Sequence, residues 1–262
     1  MMQEMSESLV ILNRKGKRMP AVYAQSPTSS RGLAIIFHGL GGYQELPVLK
    51  DAREAFVSLG YNVFSFDSSD GAKGPDADFF NNTNTGYVED IEDVMAHIKT
   101  LSWFTQPTLM LGHSQGALVL LAYLHKHPDE ESENIILLAP AVSWRHSLFS
   151  LHGIGSLLWI GKWLVLGEVP WPGPDGTPLR LGRRWLLDFL TYDGTWYASA
   201  ITANVLLVSA ERDQTVATPK YHREFAKHFA HVRHVVIKDA LHAFPNHTKA
   251  VADTIRTWLS SS

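Results

Sequence analysis

Cysteine is missing altogether from the 262 residues. That excludes disulfide frameworks, cysteine-based zinc sites and thiol nucleophiles together, and it fits a reducing compartment. Charge is scarce as well. Charged residues make up 19% of the chain, against a usual ~25%. The 23 Lys and Arg against 26 Asp and Glu leave a net charge of −3. With no basic excess to draw in a phosphate backbone, nucleic acid is not an expected partner. Low charge beside 45% hydrophobic residues also excludes intrinsic disorder, which needs the opposite balance. An export signal is lacking: the apolar run Leu9–Leu12 stops at Asn13-Arg14-Lys15, too short for a signal core, so the expected location is cytoplasmic. There is no H-E-x-x-H, and His125-Lys126-His127 is only a weak pair, so no metal is expected.

What is present is an alternation of apolar runs and helical stripes. Ser8–Leu12 and Ala21–Ala24 read as an antiparallel hairpin. Strands are expected at Leu33–Phe37, Asn62–Phe66, Thr108–Leu111, Ile135–Leu138, Val205–Val208 and His234–Ile237. Between them Leu49, Ala52, Ala55, Phe56 and Leu59 fall at helical spacing, with Gly60 as a stop. Tyr87, Ile91, Val94, Ile98 and Leu101 do the same, as do the segments Gln115–His125, Pro219–Phe229 and Lys249–Leu259. Alternating strands and helices imply an α/β fold, a mostly parallel sheet covered on both faces.

The alternation breaks between residues 143 and 202, where Trp, Leu, Gly and Pro crowd together. An insertion there implies a largely helical cap over the carboxyl ends of the strands, where such sheets bind ligands. The expected division is therefore a core of residues 1–142 and 203–262 and a cap of 143–202. Within the cap, Leu148–Gly167 is nearly long enough to span a membrane, but Lys162 and four glycines argue against it. It reads as one or two short buried helices, with a substrate-facing patch or transient contact with a membrane surface as the alternative.

Gly112-His113-Ser114-Gln115-Gly116 matches G-x-S-x-G, between an apolar strand and an apolar helix. The pattern alone is weak; this placement is what a nucleophile elbow requires. A sharp strand-to-helix turn strains the serine backbone and lifts the hydroxyl clear of the sheet, and side chains at 112 and 116 would collide with neighbouring chain. The hydroxyl needs a base, and the base an orienting acid. The loops after the last two strands carry Glu211-Arg212-Asp213 and Asp239-Ala240-Leu241-His242. Asp213 is favoured over Glu211 and Asp239, and His242 over His247. His113, inside the elbow, reads as a packing residue. After the strand Leu33–Phe37, His38-Gly39-Leu40-Gly41-Gly42 is a glycine-rich loop able to aim amides at an oxyanion, with Leu40 as one donor and Gln115 as the other.

On these residues the chain resembles the α/β-hydrolase family, and within it the monoacylglycerol lipase, lysophospholipase and cinnamoyl-esterase-like branch. The segments that carry the likeness are IIFHGLGG (Ile35–Gly42), GHSQGA (Gly112–Ala117), LLAPA (Leu137–Ala141), SAERDQTVATP (Ser209–Pro219) and ALHAF (Ala240–Phe244). The resemblance implies the α/β-hydrolase fold, Ser114 as nucleophile, Asp213 as acid, His242 as base, amide donors at Leu40 and Gln115, and no cofactor. The loop Asp67–Gly74 departs from the Arg/His-Gly-x-Gly-x-Ser stretch of many relatives, which bears on fine specificity.

The expected activity is therefore cleavage of a small carboxylic ester through an acyl-enzyme. Trp144, Leu158, Trp159 and Trp163 of the cap are the candidate substrate contacts, favouring an acyl chain or aromatic acid. A serine aminopeptidase or amidase on the same scaffold is the nearest rival; it would need an acidic cluster at the site to hold an amine. A non-catalytic ligand receptor on this fold is the alternative from another class.

Overall fold

A computed structural model of the chain describes residues 5–28, 30–143, 155–173, 176 and 178–261, with only the backbone considered at 5 and 155–159. In chain order the elements are β1 (Met5–Leu12), β2 (Arg18–Gln25), β3 (Gly32–Phe37), α1 (Pro47–Ser58), β4 (Tyr61–Phe66), α2 (Asn84–Ile98), β5 (Pro107–His113), α3 (Gln115–Lys126) and β6 (Asn134–Leu138). The cap follows with α4 (Gly155–Leu166), β7 (Glu168–Pro172), β8 (Pro178–Gly182), α5 (Arg183–Phe189) and α6 (Gly194–Ala198). The chain then returns to the sheet through β9 (Asn204–Ala210), α7 (Pro219–Ala226), β10 (His231–Ile237) and α8 (Thr248–Leu259).

The main sheet has the order β1-β2-β4-β3-β5-β6-β9-β10. The first two strands form the antiparallel hairpin, β2 runs antiparallel to β4, and every later neighbour is parallel. The period of two along each strand assigns the layers. Leu33, Ile35 and Phe37 of β3 pack with α2 and α3, whereas Ala34 and Ile36 pack with α1 and α8. In β6 Ile135 and Leu137 face one layer and Ile136 and Leu138 the other. Apolar residues on both faces are what make these strands read as continuous hydrophobic runs. At ~25 cal/mol per Å² of apolar surface removed from water, this double-sided burial dominates the stabilisation.

The cap differs from expectation in two ways. It contains a two-stranded antiparallel ribbon, β7–β8, where helix was expected. Pro170, Pro172 and Pro178 lie in that ribbon; each strand there has an open edge, so a residue that cannot donate a hydrogen bond is tolerated. Second, α4 is not buried over its last turns: Leu164, Val165 and Leu166 are exposed, while Trp163 is fully enclosed. At twelve residues and ~1.5 Å per residue, α4 is ~18 Å long, short of the ~30 Å hydrocarbon core of a bilayer. Among the described residues no helix is long and apolar enough to cross a membrane.

Candidate active site

The carboxyl ends of β3, β5, β9 and β10 carry the site residues, because parallel strands deliver their trailing loops to one edge. Ser114 directly follows β5, Asp213 lies three residues past β9, and His242 five past β10.

Ser114 has φ 55° and ψ −119°, a conformation that L residues with side chains rarely hold. The strain is stabilised by close packing at the two flanking glycines. A Cβ on Gly112 would come 2.5 Å from the Ala117 Cα, and one on Gly116 would come 2.4 Å from the His38 carbonyl oxygen. The Ser114 amide donates to the Leu138 carbonyl at 2.9 Å, and the Ser114 carbonyl accepts from the Ala117 and Ala141 amides at 3.1 Å each. The hydroxyl is thereby presented at the amino end of α3, where the helix dipole favours developing negative charge.

His242 Nε2 lies 2.8 Å from the Ser114 Oγ, and His242 Nδ1 lies 2.8 Å from the Asp213 Oδ2. The Thr215 and Val216 amides donate to the other carboxylate oxygen, Oδ1, at 2.8 and 3.2 Å. Burial pushes the Asp213 carboxyl up, but the His242 hydrogen bond and charge together with the two amides outweigh it and hold it below the usual carboxylate range. An ionised Asp213 can only accept, so Nδ1 carries the proton and Nε2 presents its lone pair to the serine O–H. The rivals are elsewhere. Glu211 accepts from the Asp239 amide at the surface, and the His247 Nδ1 lies 3.0 Å from the Pro245 carbonyl. His113 is buried beside His242, its Nε2 3.3 Å from the His242 carbonyl oxygen; burial, then the neighbouring imidazole, pulls its pKa down to about 3.

Leu40 and Gln115 both border the cavity beside Ser114. The loop carrying Leu40 is held by His38: its Nδ1–H donates to the Gly39 carbonyl at 2.9 Å and its Nε2 accepts from the Ser68 amide at 3.0 Å. Tyr87 adds a hydroxyl bond to the His38 carbonyl. The divergent loop after β4 is thus the brace of this region: Asp67 accepts from the Gln44 amide at 2.7 Å, and Asp70 pairs with Lys17 at 2.5 Å. Gln115 Nε2 donates to the Asn82 and Asn84 side chains at 3.1 and 2.9 Å.

The cavity in front of Ser114 has a volume of about 100 Å³. Its walls are Leu40, Ala141, Thr215 and Val216 from the core, with Trp171, Trp185 and Phe189 from the cap. Trp163, expected at the substrate, is not among them. It sits at 0% exposure in the cap's own core with Val169, Leu181 and Leu186, stacks on Trp185, and donates its indole N–H to the Leu181 carbonyl at 3.1 Å. The expectation is corrected for a plain reason: a helix of almost uniform hydrophobicity does not announce which side faces the ligand. Trp144 lies outside the described residues, as do the side chains of Leu158 and Trp159. Trp185 and Phe189, which sequence reasoning passed over, sit four apart on α5, a spacing that puts them on one helical face. Among the described residues no cluster of three or more His, Asp or Glu could hold a metal ion.

Residues 28–170 match the Hydrolase_4 family model, whose description is "Serine aminopeptidase, S33". The chain belongs to this hydrolase family. No curated protein sequence matches it at a significant level. Among solved structures it is similar to Est1E from Butyrivibrio proteoclasticus with ferulic acid bound, at 19% identity and a TM-score of 0.76 over 97% of this chain and 98% of that one. The mouse alpha/beta hydrolase domain-containing protein 10 is similar at 15% identity and a TM-score of 0.71, over 97% and 99% of the two chains. The esterase domain of a Rhodothermus marinus protein gives 15% identity and a TM-score of 0.66 over 97% of each. At these identities the structural likeness establishes the α/β-hydrolase fold.

Proposed function

We propose that this protein is a serine hydrolase of carboxylic esters, acting through an acyl-enzyme on Ser114. The observation that carries the reading is the continuous chain Ser114 Oγ, His242, Asp213, with 2.8 Å at both links, opening on a cavity walled by uncharged side chains. His242 Nε2 takes the hydroxyl proton as Oγ attacks the ester carbonyl, and Asp213 stabilises the imidazolium. The amides of Leu40 and Gln115 hold the oxyanion, and loss of one such donor typically raises the barrier by ~2.7–4 kcal/mol. His242 then protonates the leaving alcohol, and water cleaves the acyl-enzyme by the same route.

An apolar acyl or aryl group is the fitting substrate part, given Trp171, Trp185 and Phe189 at the cavity. The ferulic acid bound in the Est1E structure supports an aromatic acid, and the quoted motif segments support the monoacylglycerol lipase, lysophospholipase and cinnamoyl-esterase-like branch. The family description favours a second reading, an aminopeptidase. That activity needs a carboxylate to hold the substrate ammonium. Among the described residues the carboxylate touching this constellation is Asp213, already bonded to His242 and two amides. Asp188 of the cap is turned onto the Asn84 amide and the Thr85 hydroxyl instead.

A fluorophosphonate probe should label Ser114 stoichiometrically, and p-nitrophenyl butyrate should be hydrolysed by the native protein but not by Ser114→Ala. Preferential turnover of amino-acid p-nitroanilides over such esters would move the assignment to the aminopeptidase.

A further inference from the structure

Outside the triad the molecule holds a second contact between a serine and histidines. Ser209 of β9 follows Val205 and Leu207 on the strand face that packs with α2 and α3, where the period of two calls for another apolar residue. Its Oγ lies 2.8 Å from the Nδ1 of His222 on α7 and 2.7 Å from the Nε2 of the half-buried His234 on β10. Ser209 and His222 are both 0% exposed. No substrate reaches a hydroxyl so enclosed, and the constellation cannot be a second reaction centre. What it holds is a carbonyl: the His222 Nε2 lies 2.9 Å from the Pro140 oxygen.

The direction of each bond follows from that carbonyl. It can only accept, so Nε2 carries a proton. Burial keeps the imidazole neutral, pulling its pKa down to about 4, so Nδ1 accepts the Ser209 O–H. The Ser209 oxygen in turn accepts from the His234 Nε2–H. Donors therefore run one way, from His234 through Ser209 and His222 to Pro140. A ring held at both nitrogens cannot turn away from Pro140.

Pro140 is one residue from the nucleophile's own support. Ala141 donates its amide to the Ser114 carbonyl at 3.1 Å and borders the cavity. On the other side Ala139 has φ 40°, left-handed backbone for a residue with a Cβ, and donates to the Val208 carbonyl at 2.7 Å. Such a turn persists only where its surroundings over-determine it. The His222 amide bonds the Thr218 carbonyl at 3.1 Å, just past the segment whose Thr215 and Val216 amides hold Asp213. His222 thus joins the acid's loop to the nucleophile's.

We propose that His222 is a positioning residue: by binding the Pro140 carbonyl it keeps the Ala141 amide on Ser114, and so holds the strained backbone that presents the hydroxyl to His242. The kinetic part of this role rests on the esterase reading above; the placement of Pro140 does not.

The test separates the two ring nitrogens. Glutamine brings an N–H close to the place of Nε2, whereas asparagine brings its carbonyl oxygen close to the place of Nδ1. On p-nitrophenyl butyrate, His222→Phe and His222→Asn should lower kcat by about tenfold or more while KM stays within about twofold, because a small misplacement of a reacting group is felt chiefly in the transition state. His222→Gln should return kcat to within about threefold of native. Hydrogen exchange at the Ala141 amide should quicken about tenfold in the first two variants and not in the third. All are measured well below each variant's melting temperature. An Asn variant that matches the Gln variant in both readouts overturns the proposal. So does a Phe variant with native kcat and native exchange, or a loss shared between kcat and KM that Gln does not restore. If the Phe variant does not fold, the comparison of Gln with Asn decides alone. If the native protein cleaves no ester and Ser114 resists the fluorophosphonate, the esterase reading falls, and the Ala141 exchange still decides whether His222 places this turn.

Discussion

Replacing Asp213 by asparagine alters one atom and reverses the logic of the site. In the native protein Oδ1 of Asp213 accepts from the Thr215 and Val216 amides, and Oδ2 accepts from His242. Two backbone donors demand an oxygen at the first position. The amide nitrogen of the substituted side chain must therefore face His242. An NH₂ group there donates, so Nδ1 must accept, and the imidazole proton moves to Nε2. The serine hydroxyl, 2.8 Å away, then meets a donor where it needs an acceptor. Enforcing the wrong tautomer in such an arrangement lowers kcat by about 10⁴-fold, or about 5 kcal/mol of barrier. The amides keep their acceptor, so the fold should persist. The assay is p-nitrophenyl butyrate hydrolysis under saturating substrate, alongside a thermal melt. If the Asp213→Asn variant keeps more than a tenth of native kcat with an unchanged melt, Asp213 does not set the tautomer, and the role given to it is wrong.

Two further outcomes test the scaffold. Gly116→Ala would place a Cβ 2.4 Å from the His38 carbonyl oxygen and 2.5 Å from that of Phe37. Both are backbone atoms at the end of β3 and cannot rotate away, so a loss of at least ~1–3 kcal/mol in urea unfolding is expected; an unchanged midpoint would refute the packing argument. Acid should destabilise the protein early. Burial pulls His113 down to about 3 and His222 down to about 4, so both are neutral in the folded state while the unfolded chain protonates near pH 6.5. The unfolded state binds more protons between those limits, so stability is fully present above about pH 6.5 and declines as pH falls toward 4, by up to ~1.4 kcal/mol per pH unit for each histidine. Denaturant midpoints that stay flat from pH 7 to 5 would contradict this.

Local sequence carried the layered architecture because its signals are local. Strands buried on both faces must be apolar throughout, helices must show a stripe, and Gly60 ends α1 with φ 94°, a conformation that suits glycine. The elbow was legible for the same reason: two glycines and a serine between strand and helix are a single turn's requirement. The chain order alone narrowed the acid and base to two loops, and there His242 bonds both Ser114 and Asp213, while Glu211 accepts from the Asp239 amide and His247 lies against the Pro245 carbonyl.

The cavity wall was decided only in three dimensions. Trp163 and Trp185 are both tryptophans of the cap, and nothing in their spacing says that one is enclosed behind the other; the packing of α4 on the β7–β8 ribbon settles it. The chemistry of residue 115 likewise depends on Asn82, Asn84 and Asp70, some thirty to forty-five positions earlier in the chain. Composition and periodicity report which residues seek the interior. Which donor faces which acceptor is a property of contacts between distant segments, and those exist only once the sheet and cap have closed on each other.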